Sequence, residues 1–416
     1  MKIGYSIVVL LGWFLLSCSG GKESVQPAQP KTNLPNFSNV HLDHIFSKAD
    51  GVVENEALLK LNLEDYYRTI WEGGDLSGGI LVAKGDHILL ERYRGFGREN
   101  QQMPINENTP MHIASVSKVM TAMVVLKLVE AKKIKLNQKL TDFFPQFPYP
   151  EVEIQHLLNQ RSGLPKYEYF LEQIKPAPAE LNQNFLSNQD ILNLLIKYQP
   201  PMARPANTGF MYCNTNYALL ALVVEQVTKK DFPTAMREML FEPLGMAHTF
   251  IFQEKDISTA AQSFYYRDNK LYPLNVLDLI YGDKNVYTTP RDLFRFSKAM
   301  FAPDFLSPEL MKQVFTPYSN EKKGINNYGL GIRMKIFDNG EVLTYHNGWW
   351  HGSNSVFVHL PKSKVSIIAI GNKYSRSVYS AVALSGWFED FPMEVETLTK
   401  ALQTPPQDST ATEAQP

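Results

Sequence analysis

The folded part of this 416-residue chain begins and ends in the same kind of segment, and no other feature limits its architecture as much. The stretch GGILVAKGDHILLERYRGFG, residues 78–97, holds two β-rich runs around a Lys84-Gly85-Asp86 turn, which is a hairpin pattern. Near the other end, EVLTYHNGWW, SNSVFVHLP and VSIIAIGN are β-branched or aromatic runs broken by turn residues. Between the two regions, the apolar spacing of 115–132, 189–198 and 216–229 suits helices. Strands early, helices in the middle and strands late predict an α/β (α+β) fold. Its antiparallel sheet has about five or more strands from both chain ends, is flanked by helices and carries a mainly helical inserted subdomain. The expected domain spans 41–395, with an α/β part over about 41–160 and 285–395 and a helical part over about 161–284.

With 44% hydrophobic and 12% aromatic residues the chain has ample material for a packed core. Its 41 basic and 42 acidic residues leave a formal charge of -1, so no electrostatic footprint for nucleic acid is present. The N-terminus is more specific. Lys2 precedes IGYSIVVLLGWFLL, an apolar run shorter than the ~20 residues of a spanning helix, and SCSGG follows. Leu15, Leu16, Ser17 and Cys18 resemble a bacterial lipobox, which implies a signal peptide over 1–17, a lipid on Cys18 and a place in the bacterial cell envelope, anchored to the membrane. The only other cysteine is Cys213, so no structural disulfide is expected. Residues 18–40, rich in Gly, Ser, Pro, Gln and Asn, read as a solvated tether, and 396–416 as a disordered tail.

The chemistry centres on HIASVSKVMTAMVVLKLVE, residues 112–130, where Ser115 and Lys118 stand three apart at the head of an apolar helix and therefore share a face. A serine hydroxyl needs a base to become a nucleophile, and a lysine serves as one when burial disfavours its charged form. The head of a helix also offers unpaired backbone N–H groups to a developing oxyanion. The tetrad alone also fits an N-cap serine beside a lysine that reaches solvent.

Two further motifs follow in chain order. FMYCNTNYALLALVVE contains Tyr212, Cys213 and Asn214 before an apolar helix, and LTYHNGWWHGSNSVFV contains His346, Asn347 and Gly348 in a strand-turn-strand setting. With these the chain resembles the serine β-lactamase and penicillin-binding-protein superfamily, in its class C β-lactamase-like branch of esterases and D-peptidases, which carries S-x-x-K, Y-x-N and K-T-G or H-x-G. Further landmarks are IQHLLNQRSGLP at 154–165, with Gln160 where histidine is usual, NVYTTPRDLFRF at 285–296, with Asn285 in place of glycine, and YGLGI at 328–332. The resemblance covers roughly residues 60–375.

It implies that Ser115 is acylated while Lys118 and Tyr212 share the acid/base work. The Asn214 amide would hydrogen-bond Lys118 and the substrate. Gly348 would keep the strand edge clear, and the N–H groups of Ser115 and Trp349 would form the oxyanion hole. His346 and Asn347 stand where the lysine and threonine of K-T-G would be, so the positive charge facing a substrate carboxylate becomes conditional on histidine protonation. Cys213 fills the variable position of Y-x-N and reads as a small buried hydrophobe. His351 is a rival for the histidine role, and Trp349 and Trp350 are expected to wall the pocket. Neither the His346/His351 pair nor HLDH at 41–44 has a convincing set of further metal ligands, so no metal or cofactor is expected. The expected function is hydrolysis of an ester or amide through an acyl-enzyme, on a small ester, a D-amino-acid peptide or a peptidoglycan fragment. A β-lactamase proper and a catalytically silent peptide- or glycan-binding protein are the alternatives. Loops 166–188 and 252–284 are expected to set specificity. The oligomeric state is not legible.

Overall fold

The computed structural model describes residues 34–98, 103–266 and 269–403, with side chains through Lys400. Its main sheet has seven strands: β1 (Gly78–Lys84), β2 (His87–Arg94), β6 (Asn326–Tyr328), β7 (Arg333–Ile336), β8 (Val342–Trp350), β9 (Ser353–Leu360) and β10 (Val365–Gly371). They lie in the order β2-β1-β10-β9-β8-β7-β6, every pair antiparallel. Strands from both chain ends thus meet in one sheet, joined where β1 pairs with β10 in the register Gly78↔Gly371 to Lys84↔Val365. A small second sheet has the order β3-β5-β4, with β3 Met111–His112, β4 Phe250–Ile251 and β5 Val286–Thr288.

The central strands are apolar on both faces, as a sheet covered on both sides requires. On β1, Ile80 and Val82 join one core with Val356, Val358 and Ile367, whereas Leu81 and Ala83 join another with Phe357, Ile368 and Ile370. The first core is closed by α1 (Glu56–Tyr66) and the segment 376–387. The second holds the larger helical layer: α2 (Ser117–Glu130), α3 (Tyr167–Gln173), α4 (Asn188–Tyr198), α5 (Asn214–Thr228) and α6 (Pro290–Phe301). Every residue of α2 from Ser117 to Leu128 is buried, so this helix runs through the interior, packed against α5. Its sequence has no polar face because no side of it meets water. The α6 segment, TTPRDLFRF, starts sharply for local reasons. Thr289 caps the Asp292 N–H and Pro290 occupies the first turn.

Two expected boundaries need correction. The tether does not extend to residue 40: Phe37 and Val40 are buried in the helical core, and the Phe37 ring stacks on Phe305 with centroids 4.4 Å apart. The tail does not begin at 396 either, because a helix, α7, spans Val395–Gln403. Val395 and Leu398 pack on the other core, and this apolar contact orders a segment whose composition alone suggested solvent. Cys18 and residues 404–416 lie outside the described residues.

Candidate active site

Ser115 lies in a turn of 3-10 helix, Ala114–Val116, that leads into α2. Ala114 before it is buried and has φ 46°, a left-handed conformation that a non-glycine residue keeps only where its surroundings enforce it. Those surroundings are visible. Ile113 N–H donates to Val286 O at 3.1 Å, and Ser355 Oγ donates to Ile113 O at 2.6 Å, tying the turn to β5 and β9.

One turn on, Lys118 is 0% exposed. Its Nζ donates to Ser115 Oγ at 3.0 Å and to Asp283 O at 2.9 Å, and lies 4.9 Å from the Tyr212 ring centroid. These contacts offset the desolvation of a buried ammonium.

Tyr212 and Asn214 arrive on the extended segment that enters α5. Gln160 holds that segment. Its Oε1 accepts from Cys213 N at 2.9 Å and from Asn216 Nδ2 at 2.7 Å, and its backbone O accepts from Met211 N at 2.9 Å. The Tyr212 ring is flanked by Lys118 Nζ and by Arg333 Cζ, the latter 4.7 Å from its centroid. Its Oη is buried and meets no hydrogen-bond partner among the described residues. Cys213 is fully buried, with Sγ against Leu164 O at 3.5 Å, and burial pushes its thiol up to about 12, so it is no nucleophile.

On β8, Gly348 lies directly over the nucleophile's backbone. A Cβ there would come within 2.3 Å of Ile113 O and 3.0 Å of Ser115 N, so only glycine allows this approach. Strand β7 pairs with Val342–Tyr345 alone, and from His346 to Trp350 the edge of β8 opposite β9 has no partner strand among the described residues. Trp349 therefore lies on a stretch of β8 whose outer edge is open among the described residues.

His346 departs from its expected role. It is fully buried, and burial together with Arg333 and Lys118 holds its pKa well below 6.5. Its Nδ1 lies 2.8 Å from Asn347 O and its Nε2 3.1 Å from Tyr328 Oη, which suits a neutral ring donating through the first and accepting through the second. It is not a conditional cation. The cation on this side of the site is Arg333, at the start of β7, where the phenols of Tyr212, Tyr345 and Tyr328 outweigh burial and raise its pKa further.

Asn214 also differs from expectation. Its Nδ2 donates to Glu168 Oε1 on α3, not toward Lys118, whose ammonium is taken by Ser115 and Asp283. Behind it is a buried network: Lys284 Nζ donates to Tyr167 Oη at 2.7 Å, and Tyr167 Oη donates to Asp283 Oδ2 at 2.7 Å. The network fixes the residue whose carbonyl holds Lys118. His351 serves elsewhere, its Nε2 2.8 Å from Asp278 Oδ1 and its ring stacked on Tyr272. Trp350 donates to the same carboxylate and, with His351, Phe252, Tyr272, Leu274 and Tyr287, lines a cavity of about 140 Å³. Trp349 is 44% exposed and does not line it. Among the described residues no group of acidic, histidine or cysteine side chains is placed to hold a metal.

The family model for Beta-lactamase matches residues 63–384, a span containing every residue of this constellation. The chain belongs to that family. It is 27% identical over 340 residues to penicillin-binding protein 4* of Bacillus subtilis, covering 78% of this chain and 74% of that one. A penicillin-binding protein from Bacillus halodurans superposes with a TM-score of 0.67 at 28% identity, over 76% of this chain and 97% of the other. A D-amino acid amidase from Ochrobactrum anthropi shares the fold, with a TM-score of 0.62 at 19% identity over 82% and 100% of the two chains.

Within this Beta-lactamase-family site the substituted landmark positions have local explanations. Gln160 supplies the clamp on Tyr212–Asn214 described above, and Asn285 adopts φ 74°, a left-handed conformation that asparagine tolerates where glycine is usual. The glycine of YGLGI at 331 has φ 89°, and a Cβ there would meet Ala122 at 2.3 Å, so this turn packs directly on α2. Arg333, Glu168, Lys284 and the carbonyl of Asp283 were not singled out in the sequence. Arg333 had one available signal, its place directly after YGLGI on a strand paired with β8.

Proposed function

We propose that the chain is a serine hydrolase that forms an acyl-enzyme on Ser115 and acts on an ester or amide: a small ester, a D-amino-acid peptide or a peptidoglycan-derived peptide. The observation that carries this reading is the fully buried Lys118, whose Nζ stands 3.0 Å from Ser115 Oγ. Ser115 Oγ attacks the carbonyl and its proton passes to the Lys118/Tyr212 pair. The N–H groups of Ser115 and Trp349 receive the oxyanion. The same pair then protonates the leaving group and later takes a proton from the water that releases the acyl group. Arg333, beside Tyr212, suits a leaving group that carries a carboxylate, through charge-assisted hydrogen bonds. The likeness to a D-amino acid amidase agrees with an amide substrate of this kind.

Arg333 also favours a second reading, a β-lactamase proper, because it supplies the permanent cation that His346 lacks, and a nitrocefin assay measures that activity directly. The primary test is Ser115→Ala, which should abolish both turnover and labelling by a fluorophosphonate or penicillin probe. Unchanged labelling would overturn the assignment, whereas failure of a broad ester, D-peptide and β-lactam panel to give turnover or a covalent adduct would favour the silent binding protein. The reading includes a lipid on Cys18 and a bacterial envelope location. Intact mass of the mature protein, with Cys18→Ser as the control, tests the lipid.

A further inference from the structure

Residues 282–286, which lead into β5, are strapped across the nucleophile turn and the start of α2. Thr121 Oγ1 donates to Gly282 O at 2.8 Å, Lys118 Nζ to Asp283 O at 2.9 Å and Ile113 N–H to Val286 O at 3.1 Å, while Val286 N–H donates to Ser117 Oγ at 3.1 Å. The backbone of this strap serves α2, and two of its side chains are tied elsewhere. Asp283 and Lys284 are both buried, and Lys284 Nζ lies 3.5 Å from Asp283 Oδ2, donates to Tyr167 Oη at 2.7 Å and sits 4.5 Å from the Trp350 ring centroid. Tyr167 Oη closes the triangle by donating to Asp283 Oδ2 at 2.7 Å, and the Tyr167 N–H is held by Thr215 Oγ1 on α5 at 2.9 Å. A buried ion pair is weak evidence for stability, because desolvation consumes most of what the two charges gain and well-packed apolar side chains often serve as well. What this pair does hold is the residue whose carbonyl, with Ser115 Oγ, accepts from Lys118 Nζ. Moving that carbonyl redirects the ammonium, and a misplacement of about 1 Å at a reacting pair can cost about 10²-fold in rate.

Resting on the hydrolase reading above, we propose that Lys284 and Tyr167 are positioning residues: through the Asp283 carboxylate they fix the Asp283 carbonyl, and through that carbonyl the place of Lys118 Nζ beside Ser115. Both act on the rate only by way of Lys118 and stand outside the proton transfers at Ser115. The second buried lysine thus serves the first.

The test is a double-mutant cycle on the intact protein, read by turnover of a nitrophenyl ester and by the rate at which a fluorophosphonate labels Ser115. Tyr167→Phe removes the hydroxyl that joins Lys284 to Asp283, and should lower kcat and the labelling rate about ten- to a hundredfold with KM changed less than about twofold. In a Lys118→Ala background the same substitution should change the remaining rate by less than about twofold, since residues that act as a unit are not additive. A merely structural Tyr167 would lower the rate by the same factor in both backgrounds, which overturns the proposal, as does an unchanged kcat in Tyr167→Phe alone. A second variant, Lys284→Met with Asp283→Leu, removes both charges at once and keeps the carbonyl at 283. It should stay folded by circular dichroism and lose kcat to a similar extent, and full kcat in this folded variant overturns the proposal. Either failure with Ser115 labelled in the wild-type protein leaves the hydrolase reading standing. An unlabelled Ser115 together with no turnover across an ester, D-peptide and β-lactam panel overturns the hydrolase reading first and this inference with it.

Discussion

The two sides of the site differ in how far the protein satisfies its own polar atoms. Around the nucleophile the pairing is complete: Lys118 Nζ reaches Ser115 Oγ and Asp283 O, and Ile113, Ser355 and Val286 fasten the turn before Ser115. On the facing side Tyr212 Oη, Asn214 Oδ1, Glu168 Oε2 and Arg333 Nε are all buried without hydrogen-bond partners among the described residues. On the proposed reading, nucleophile activation is built in advance, whereas the facing side keeps polar atoms that a bound molecule would have to complete. Preorganised donors act without rearranging at the moment of reaction, and unpaired groups gain most when the matching substrate arrives.

The strongest way to break this contrast is to unpair the paired side. Lys118→Ala should lower kcat by about 10² to 10⁴, the range for loss of a positioned acid/base group, with KM for an ester little changed. A fall confined to KM would show that Lys118 binds substrate instead. Gly348→Ala comes next. Its Cβ would press on Ile113 O and Ser115 N, so kcat should drop by about 10² while the fold, followed by circular dichroism, is retained. Full activity in this variant would mean that β8 does not need to approach the nucleophile so closely.

On the open side, Arg333→Gln should raise KM about ten- to a hundredfold for substrates whose leaving group carries a carboxylate, and much less for their methyl esters. Equal effects on both would remove Arg333 from recognition. A separate effect, on stability and not on rate, concerns acid. His112 and His359 are held neutral by burial, each with its pKa lowered to about 3, and His346 is held neutral by burial, Arg333 and Lys118. The unfolded chain binds protons on these residues near 6.5 while the folded chain does not. Stability is thus fully present above about pH 6.5 and falls as pH drops below it, by up to about 1.4 kcal/mol per unit for each histidine. Melting temperatures from pH 7 to pH 5 check this, and a flat profile would contradict neutral buried histidines.

What the sequence disclosed and what it hid divide along the same line. Ser115, Lys118, Tyr212, Asn214 and Gly348 are legible because local spacing fixes them: three residues along a helix, or the entry to a helix, or a strand before a turn. The helices expected at 189–198 and 216–229 lie at Asn188–Tyr198 and Asn214–Thr228 for the same reason. Arg333 and Glu168 are not legible, since each matters through a neighbour supplied by tertiary structure, the strand register Tyr345↔Arg333 in one case and the packing of α3 beside α5 in the other. His346 was read as a titrating group because a sequence shows the residue type and not its burial. The misplaced ends at Val40 and Leu398 are of this kind too, each ordered by an apolar contact far away in the chain.

The stacking of Phe37 on Phe305 has a mechanical meaning. Phe37 N–H also donates to Met239 O at 3.1 Å, and its ring lies 4.9 Å from Lys127 Nζ on α2, so the first described residues are riveted to the same helical layer that carries Lys118. A pull applied at Leu34 would be met by this apolar joint.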